Sequence, residues 1–171
     1  MAKKRPGGGQ AAAVSIAGSH EIAIAANPTE VWEMISDITR TREWSPDVIR
    51  SAWIKPWTGP AVGARFESLN RMPLVGRWRS RSTVTAADPG RRFAFAVGTN
   101  PSDPNTTWTW DLEPTRDGVK VRLTYEMRHE PRIVLMYYRL TQRADRVRRS
   151  VRATLERLKA AAERPTPGPR P

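Results

Sequence analysis

The sequence contains no cysteine and only two histidines, His20 and His129, among its 171 residues. Without cysteine there are no disulfides, no thiolate metal ligands and no thiol nucleophiles. Neither histidine lies in a cluster of carboxylates, so we predict no metal site and no cofactor. The three glycines at positions 7–9 precede no strand-to-helix turn. They are therefore typical of a linker, not of a nucleotide-binding loop.

Long apolar runs are also missing. No stretch approaches the roughly 18 apolar residues that a membrane-spanning helix requires, and the first residues lack the apolar core of a secretory signal. We therefore predict a cytoplasmic protein. Lysine and arginine number 29 against 17 acidic residues, which gives a net charge of +12. Such a charge suits nucleic acid or an anionic membrane. No nucleic-acid-reading module accompanies it, so we predict no nucleic acid partner and keep peripheral contact with an anionic membrane as an alternative.

The two ends of the chain have the composition of disordered tails. Residues 1–19 are rich in Gly, Ala and Ser, and residues 164–171 alternate Pro with small or polar residues. Neither segment offers the apolar periodicity that packs against a core. We predict one folded domain over residues 20–163.

Within this domain the pattern predicts an α+β fold. Asn27 and Pro28 favour a helix start after a first strand, and a second short helix is expected over residues 39–44. Six further strands follow without an intervening helix, which requires an antiparallel meander. A long C-terminal helix carries an apolar stripe that needs this sheet to lie on. The predicted strands cover 20–26, 48–56, 64–72, 76–87, 92–98, 106–113 and 119–129, and the stripe comprises Leu140, Ala144, Val147, Val151, Leu155, Leu158 and Ala162.

The alternation of side chains along each strand indicates which of them face the helix. Arg77, Arg79 and Arg81 cannot all be buried without partners, so Trp78, Ser80 and Ser82 must point inward. Small polar groups in such positions either leave a cavity or make room for large neighbours, and both interpretations stay open. Asn70 joins this set if Phe66 and Ser68 share its face. The candidate ligand-binding residues are Asn70, Trp78, Ser80, Ser82, Trp108, Trp110, Tyr125, His129 and Tyr137.

Several short motifs, in this order, resemble those of the polyketide cyclase/dehydrase and lipid-transport group of the SRPBCC (START-like) superfamily. They are Ala26, Asn27, Pro28, Val31 and Trp32; Trp44, Ser45 and Pro46; Gly63 and Phe66; Thr107, Trp108, Trp110, Leu112 and Glu113; Asp117 and Gly118; and Thr154, Leu155, Leu158, Lys159 and Ala160. The resemblance implies a helix-grip fold, in which the sheet wraps around the long helix. It also implies an apolar pocket between them for a lipid or polyketide-like molecule. No catalytic signature of the group is present, so the resemblance assigns no catalytic residue.

We therefore expect binding or transport of a small hydrophobic molecule, and the residues favour a binder over an enzyme. One alternative is a polyketide cyclase or dehydratase in which His129 exchanges a proton. Another is a membrane-associated accessory protein. Residues 132–140, which include Tyr137, are nearly all apolar or aromatic. They are expected to form a gate over the pocket, a homodimer contact or a membrane patch.

Overall fold

The computed structural model describes residues 14–72, 76–98, 104–129 and 142–164, and these form one antiparallel sheet gripping a long helix. The elements are β1 (Val14–Ile24), α1 (Pro28–Ser36), a 3-10 helix (Ile38–Glu43), β2 (Val48–Trp53), β3 (Arg65–Met72), β4 (Gly76–Asp88), β5 (Arg92–Val97), β6 (Thr106–Thr115), β7 (Gly118–His129) and α2 (Arg143–Ala162). The seven strands run in the order β1-β7-β6-β5-β4-β3-β2, a meander with the first strand added at the edge beside β7. The predicted helix-grip architecture is confirmed.

Strand β1 begins at Val14, so the domain boundary expected at His20 moves toward the N-terminus. Its first residues pair with the end of β7, where Val14 lies opposite His129. The long partner strand satisfies the backbone groups of a segment in which Ala17, Gly18 and Ser19 interrupt the apolar alternation. Ile16 packs against the core. Residues 1–13 and 165–171 of the predicted tails lie outside the described residues.

The start of α1 follows the predicted capping chemistry. The Asn27 side chain accepts a hydrogen bond from the Thr29 N–H at 2.8 Å, and Pro28 occupies the first turn. The buried Trp32 donates its indole N–H to the Arg92 carbonyl at 2.9 Å, which ties α1 to β5. Asp37 caps the 3-10 helix that follows by accepting from the Thr39 N–H. The 3-10 helix packs against β2, and α1 packs against β5 and β6.

Strand parity places the core between the sheet and α2. On β7, Val119, Val121, Leu123, Tyr125 and Met127 are all buried, as their alternation predicts. The helix contributes the middle of its predicted stripe and, in addition, Thr154, whereas Ala144 and Ala162 are half-buried. The buried helix residues are Val147, Val151, Thr154, Leu155 and Leu158, whereas Leu140 lies outside the described residues. In the described part of the chain, no helix combines the length and apolar character needed to cross a membrane.

The C-terminal end of α2 is fastened to the end of β1. Lys159 donates to the Ala23 carbonyl at 2.7 Å. The Glu163 carboxylate accepts from the Ala25 N–H at 2.7 Å and from the Lys159 ammonium. The Ala25 N–H, and secondly Lys159, hold the pKa of Glu163 below its usual value. These contacts fix the helix at one end, while its first turns line the cavity described next.

Candidate functional site

A cavity of about 260 Å³ lies between the inner face of the sheet and the N-terminal half of α2. The 3-10 helix and the turn after it close one side. Its aromatic wall comprises Trp44, Phe66, Trp78, Phe93, Phe95, Trp108 and Trp110. Its aliphatic wall comprises Ile35, Ile38, Val48, Val97, Leu123, Met127, Val147 and Val151. Its polar lining comprises Thr41, Ser45, Asp47, Ser51, Ser68, Asn70, Ser80, Ser82, Thr106, Arg143, Arg146, Ser150 and Thr154.

The aromatic wall is held by ring-to-ring packing between residues of different strands. Phe66 on β3 meets Phe95 on β5 edge to face, with ring centroids 5.2 Å apart. Trp108 on β6 packs against Tyr125 on β7 at 5.7 Å. Such contacts fix each ring in one orientation. The result is an apolar surface that extends over four adjacent strands, from β3 to β6.

A row of polar side chains crosses the opposite part of the sheet, on β2, β3 and β4. We call Ser51, Ser68, Asn70 and Ser80 the polar row. Ser51 and Ser68 share a hydrogen bond of 2.7 Å between their hydroxyls. The Asn70 amide donates to the Ser80 hydroxyl at 3.0 Å and to the Ser68 carbonyl at 3.3 Å. The antiparallel register, in which Ser68 lies opposite Ser80, brings these side chains together.

A charged group lies where α2 approaches the turn before β2. Ser150 donates its hydroxyl to the Asp47 carboxylate at 2.5 Å. Arg143 and Arg146, from the first turns of α2, line the same cavity. The cavity therefore combines an apolar wall, neutral hydrogen-bonding groups and an ionic end.

Six of the nine candidate residues lie together around this cavity: Asn70, Trp78, Ser80, Ser82, Trp108 and Trp110. Tyr125 does not line it. Its side chain is buried beneath the wall, against Trp108 and over Gly18, where an added Cβ would lie 2.6 Å from the phenol oxygen. The side chain of His129 and all of Tyr137 lie outside the described residues. Whether any of these residues binds a ligand stays a prediction.

Sequence reasoning missed several lining residues. Ser51 escaped notice because a register shift between Val48 and Arg50 interrupts the alternation of β2. Asp47 lies in a turn, for which strand parity gives no signal. Ser150 adjoins the buried Val151 on α2, so its place beside the apolar stripe was the one available clue.

Within residues 14–72, 76–98, 104–129 and 142–164, no group of three His, Asp or Glu side chains is placed to hold a metal ion. The carboxylate at the cavity, Asp47, accepts a hydrogen bond from Ser150, and Arg143 and Arg146 line the same cavity. These groups suit hydrogen bonding and ionic contact with an organic ligand.

Comparisons with known structures identify the same architecture. The Polyketide_cyc-like protein Cgl2372 from Corynebacterium glutamicum is 29% identical, with a TM-score of 0.56 over 88% of this chain and 91% of that one. The protein CV1439 from Chromobacterium violaceum is 14% identical, with a TM-score of 0.65 over 87% of this chain and 98% of that one. No curated protein matches the sequence.

The di-domain ARO/CYC StfQ from the steffimycin biosynthetic pathway is 17% identical, with a TM-score of 0.68. The match covers 87% of this chain and 51% of StfQ, so this chain corresponds to about half of that protein. The likenesses to StfQ and CV1439 show the fold alone. The family described as polyketide cyclase / dehydrase and lipid transport matches residues 15–163, nearly the whole folded region. The chain therefore belongs to the polyketide cyclase / dehydrase and lipid transport family.

Proposed function

We propose that the protein binds and carries a small hydrophobic molecule in the cavity between the sheet and α2. The observation that supports this most is that an aromatic wall and the polar row line the same cavity. A ligand would lay its apolar body against Trp108 and Trp110. A hydroxyl or carbonyl on it would exchange hydrogen bonds with the polar row.

The size and lining of the cavity support a ligand of modest size. Small-molecule sites are mostly apolar, with a few polar groups that fix orientation, and typically enclose about 300–1,000 Å³. A cavity of about 260 Å³ lies just below that range. The fit favours a compact, partly aromatic molecule or a short acyl chain over a bulky lipid.

The proposal is tested by tryptophan fluorescence. Planar apolar compounds and fatty acids are titrated into the wild type, Trp110→Leu and Trp57→Leu. Trp110 lines the cavity, whereas Trp57 is partly buried against the core outside it. We expect a saturable change in emission that is reduced in Trp110→Leu and kept in Trp57→Leu. A saturable change of equal size in both variants would place the ligand elsewhere.

A second candidate function, cyclisation or dehydration of a polyketide-like substrate, is favoured by the ionic end of the cavity. Asp47, hydrogen-bonded to Ser150, is a carboxylate that could move a proton if a substrate displaced the serine hydroxyl. His129 is the other candidate for proton transfer from the sequence.

Single-turnover assays on a bound ligand separate the two functions. A carrier releases the ligand unchanged and keeps its affinity within about tenfold in His129→Ala, because at most one hydrogen bond is lost. An enzyme converts the ligand, and its turnover falls on the order of a hundredfold in Asp47→Asn or His129→Ala while binding survives. We also propose that the protein is located in the cytoplasm, that it has no nucleic acid partner and that it forms a homodimer.

A further inference from the structure

The outer face of the sheet, which points away from α2, is divided into two halves of different charge. On β5, β6, β7 and β1 the basic side chains pair with acidic neighbours. The pairs are Arg92 with Asp111, Lys120 with Glu113, Arg122 with Glu21, and Arg128 with Glu126. The positive and negative charges of this half are balanced, as expected of an ordinary solvated surface.

The other half is strongly basic. It consists of the outward residues of β2, β3 and the first part of β4, and we call its cations the arginine face. All six are exposed: Arg50, Arg65, Arg71, Arg77, Arg79 and Arg81. Among the described residues of these strands, Glu67 is the one carboxylate on this face, and it pairs with Arg79 at 2.7 Å and Arg81 at 3.6 Å.

The arrangement of the arginine face is unfavourable for the isolated protein. The antiparallel register sets Arg71 directly opposite Arg77, and like charges in opposite positions destabilise a strand pair. Arg50 and Arg65 have no acidic partner in the part of the chain that the structure describes. An external anionic surface would offset this repulsion. The other half of the sheet, whose charges are already paired, has no such repulsion to offset.

We propose that the arginine face docks on an anionic phospholipid bilayer. Charge complementarity requires an anionic partner, and the shape of the surface selects among anionic partners. Backbone positions on neighbouring strands lie about 4.8 Å apart, and alternate positions along a strand lie roughly 6.8 Å apart, so the arginines form an irregular grid on a broad sheet face. Mobile lipid phosphates can adjust laterally to that grid.

Nucleic acid fits the arginine face less well. Sequence-tolerant binding of single strands uses aromatic side chains on which bases stack. The outward residues between the arginines are Ala52, Glu67 and Leu69, none of them aromatic. Duplex DNA admits a helix or a two-stranded ribbon into its major groove, and a sheet face three strands wide is too broad.

Binding to vesicles tests the inference, and it needs no knowledge of the cavity ligand. Full-length protein is sedimented with vesicles of equimolar phosphatidylcholine and phosphatidylglycerol, or of phosphatidylcholine alone. The test variant carries Arg50→Gln, Arg71→Gln and Arg77→Gln. The matched control carries Arg149→Gln, Arg152→Gln and Arg157→Gln, three exposed positions on α2, and has the same net charge.

We expect binding to the anionic vesicles alone, weakened by salt, because each cation near such a surface contributes to its attraction. The test variant should lose on the order of a hundredfold in partitioning, and the control should lose far less. Equal losses in both variants would overturn the proposal, since net charge alone would then explain binding. Failure of the wild type to sediment would also overturn it. So would preferential binding of a single-stranded oligonucleotide that the test variant loses.

Discussion

Filling the cavity at Ser80 should leave the fold intact while impairing ligand binding. Ser80 lines the cavity and is only partly buried, and its hydroxyl accepts one hydrogen bond, from Asn70. In Ser80→Leu, three carbons replace the hydroxyl. At about 0.8 kcal/mol per buried carbon this adds roughly 2 kcal/mol of stability. The lost hydrogen bond costs about 1 kcal/mol. The free energy of unfolding should therefore stay unchanged or rise by about 1 kcal/mol.

Urea unfolding gives that free energy, and Val84→Phe provides the matched control. Val84 faces inward two strand positions beyond Ser82, is 1% exposed and does not line the cavity. Enlarging it should cost about 1–3 kcal/mol, because it overpacks a closed core. Ligand affinity in Ser80→Leu should fall about tenfold or more, which corresponds to about 1.4 kcal/mol. If Ser80→Leu were destabilised as much as Val84→Phe, the inner serines would merely accommodate their neighbours and the cavity would not exist in solution.

Three further predictions concern the packing of β1 on β7, the C-terminal end of α2 and the absence of a bound metal. Gly18→Ala should lower the free energy of unfolding by about 1–3 kcal/mol, because its Cβ would lie 2.6 Å from the Tyr125 phenol oxygen. Gly59→Ala, with nothing within 4 Å of its Cβ, should change it by less than about 0.5 kcal/mol, and equal effects would refute the contact. Glu163→Gln should lower the Tm at neutral pH, since its carboxylate accepts from the Ala25 N–H. Because the folded pKa of Glu163 is lowered, its contribution is present above the ordinary value of 4.5 and is lost as pH falls through the folded pKa, so the two Tm curves should converge in acid. A difference that persists at low pH would contradict this assignment. A chelator should change neither Tm nor ligand affinity, and a stoichiometric metal in elemental analysis would overturn that expectation.

The sheet and the long helix were predictable because their two periodicities are clear in the sequence. The inward direction of Ser80 and Ser82 followed from one physical argument, that three arginines on the alternate positions cannot be buried. The structure agrees, with Ser82 3% exposed. The start of β1 was missed because the alternation of Val14 and Ile16 is interrupted by the small residues Ala17, Gly18 and Ser19, and only the length of β7 reveals the pairing. Long-range pairing of this kind lies beyond any local pattern.

Parts of the site depend on geometry that no local pattern encodes. The polar row forms because the register between β2, β3 and β4 aligns Ser51, Ser68 and Ser80. Tyr125 has the correct parity for the inner face, but Gly18 lets its ring settle against β1 and away from the cavity. The alternation along a strand thus determines which face of the sheet a side chain lies on. The packing of neighbouring strands then determines which side chains of that face line the cavity.

The central claim, that the cavity holds a small hydrophobic molecule, is tested most directly by native mass spectrometry of the protein purified from its own organism. Wild type and Ser80→Leu are compared, and solvent extraction then releases whatever is bound. We predict that the wild type carries an additional noncovalent mass of one defined small molecule, recovered unchanged in the extract and reduced in Ser80→Leu. A wild-type spectrum that shows the bare chain alone, together with no saturable change in tryptophan emission on titration with apolar compounds, would contradict the account.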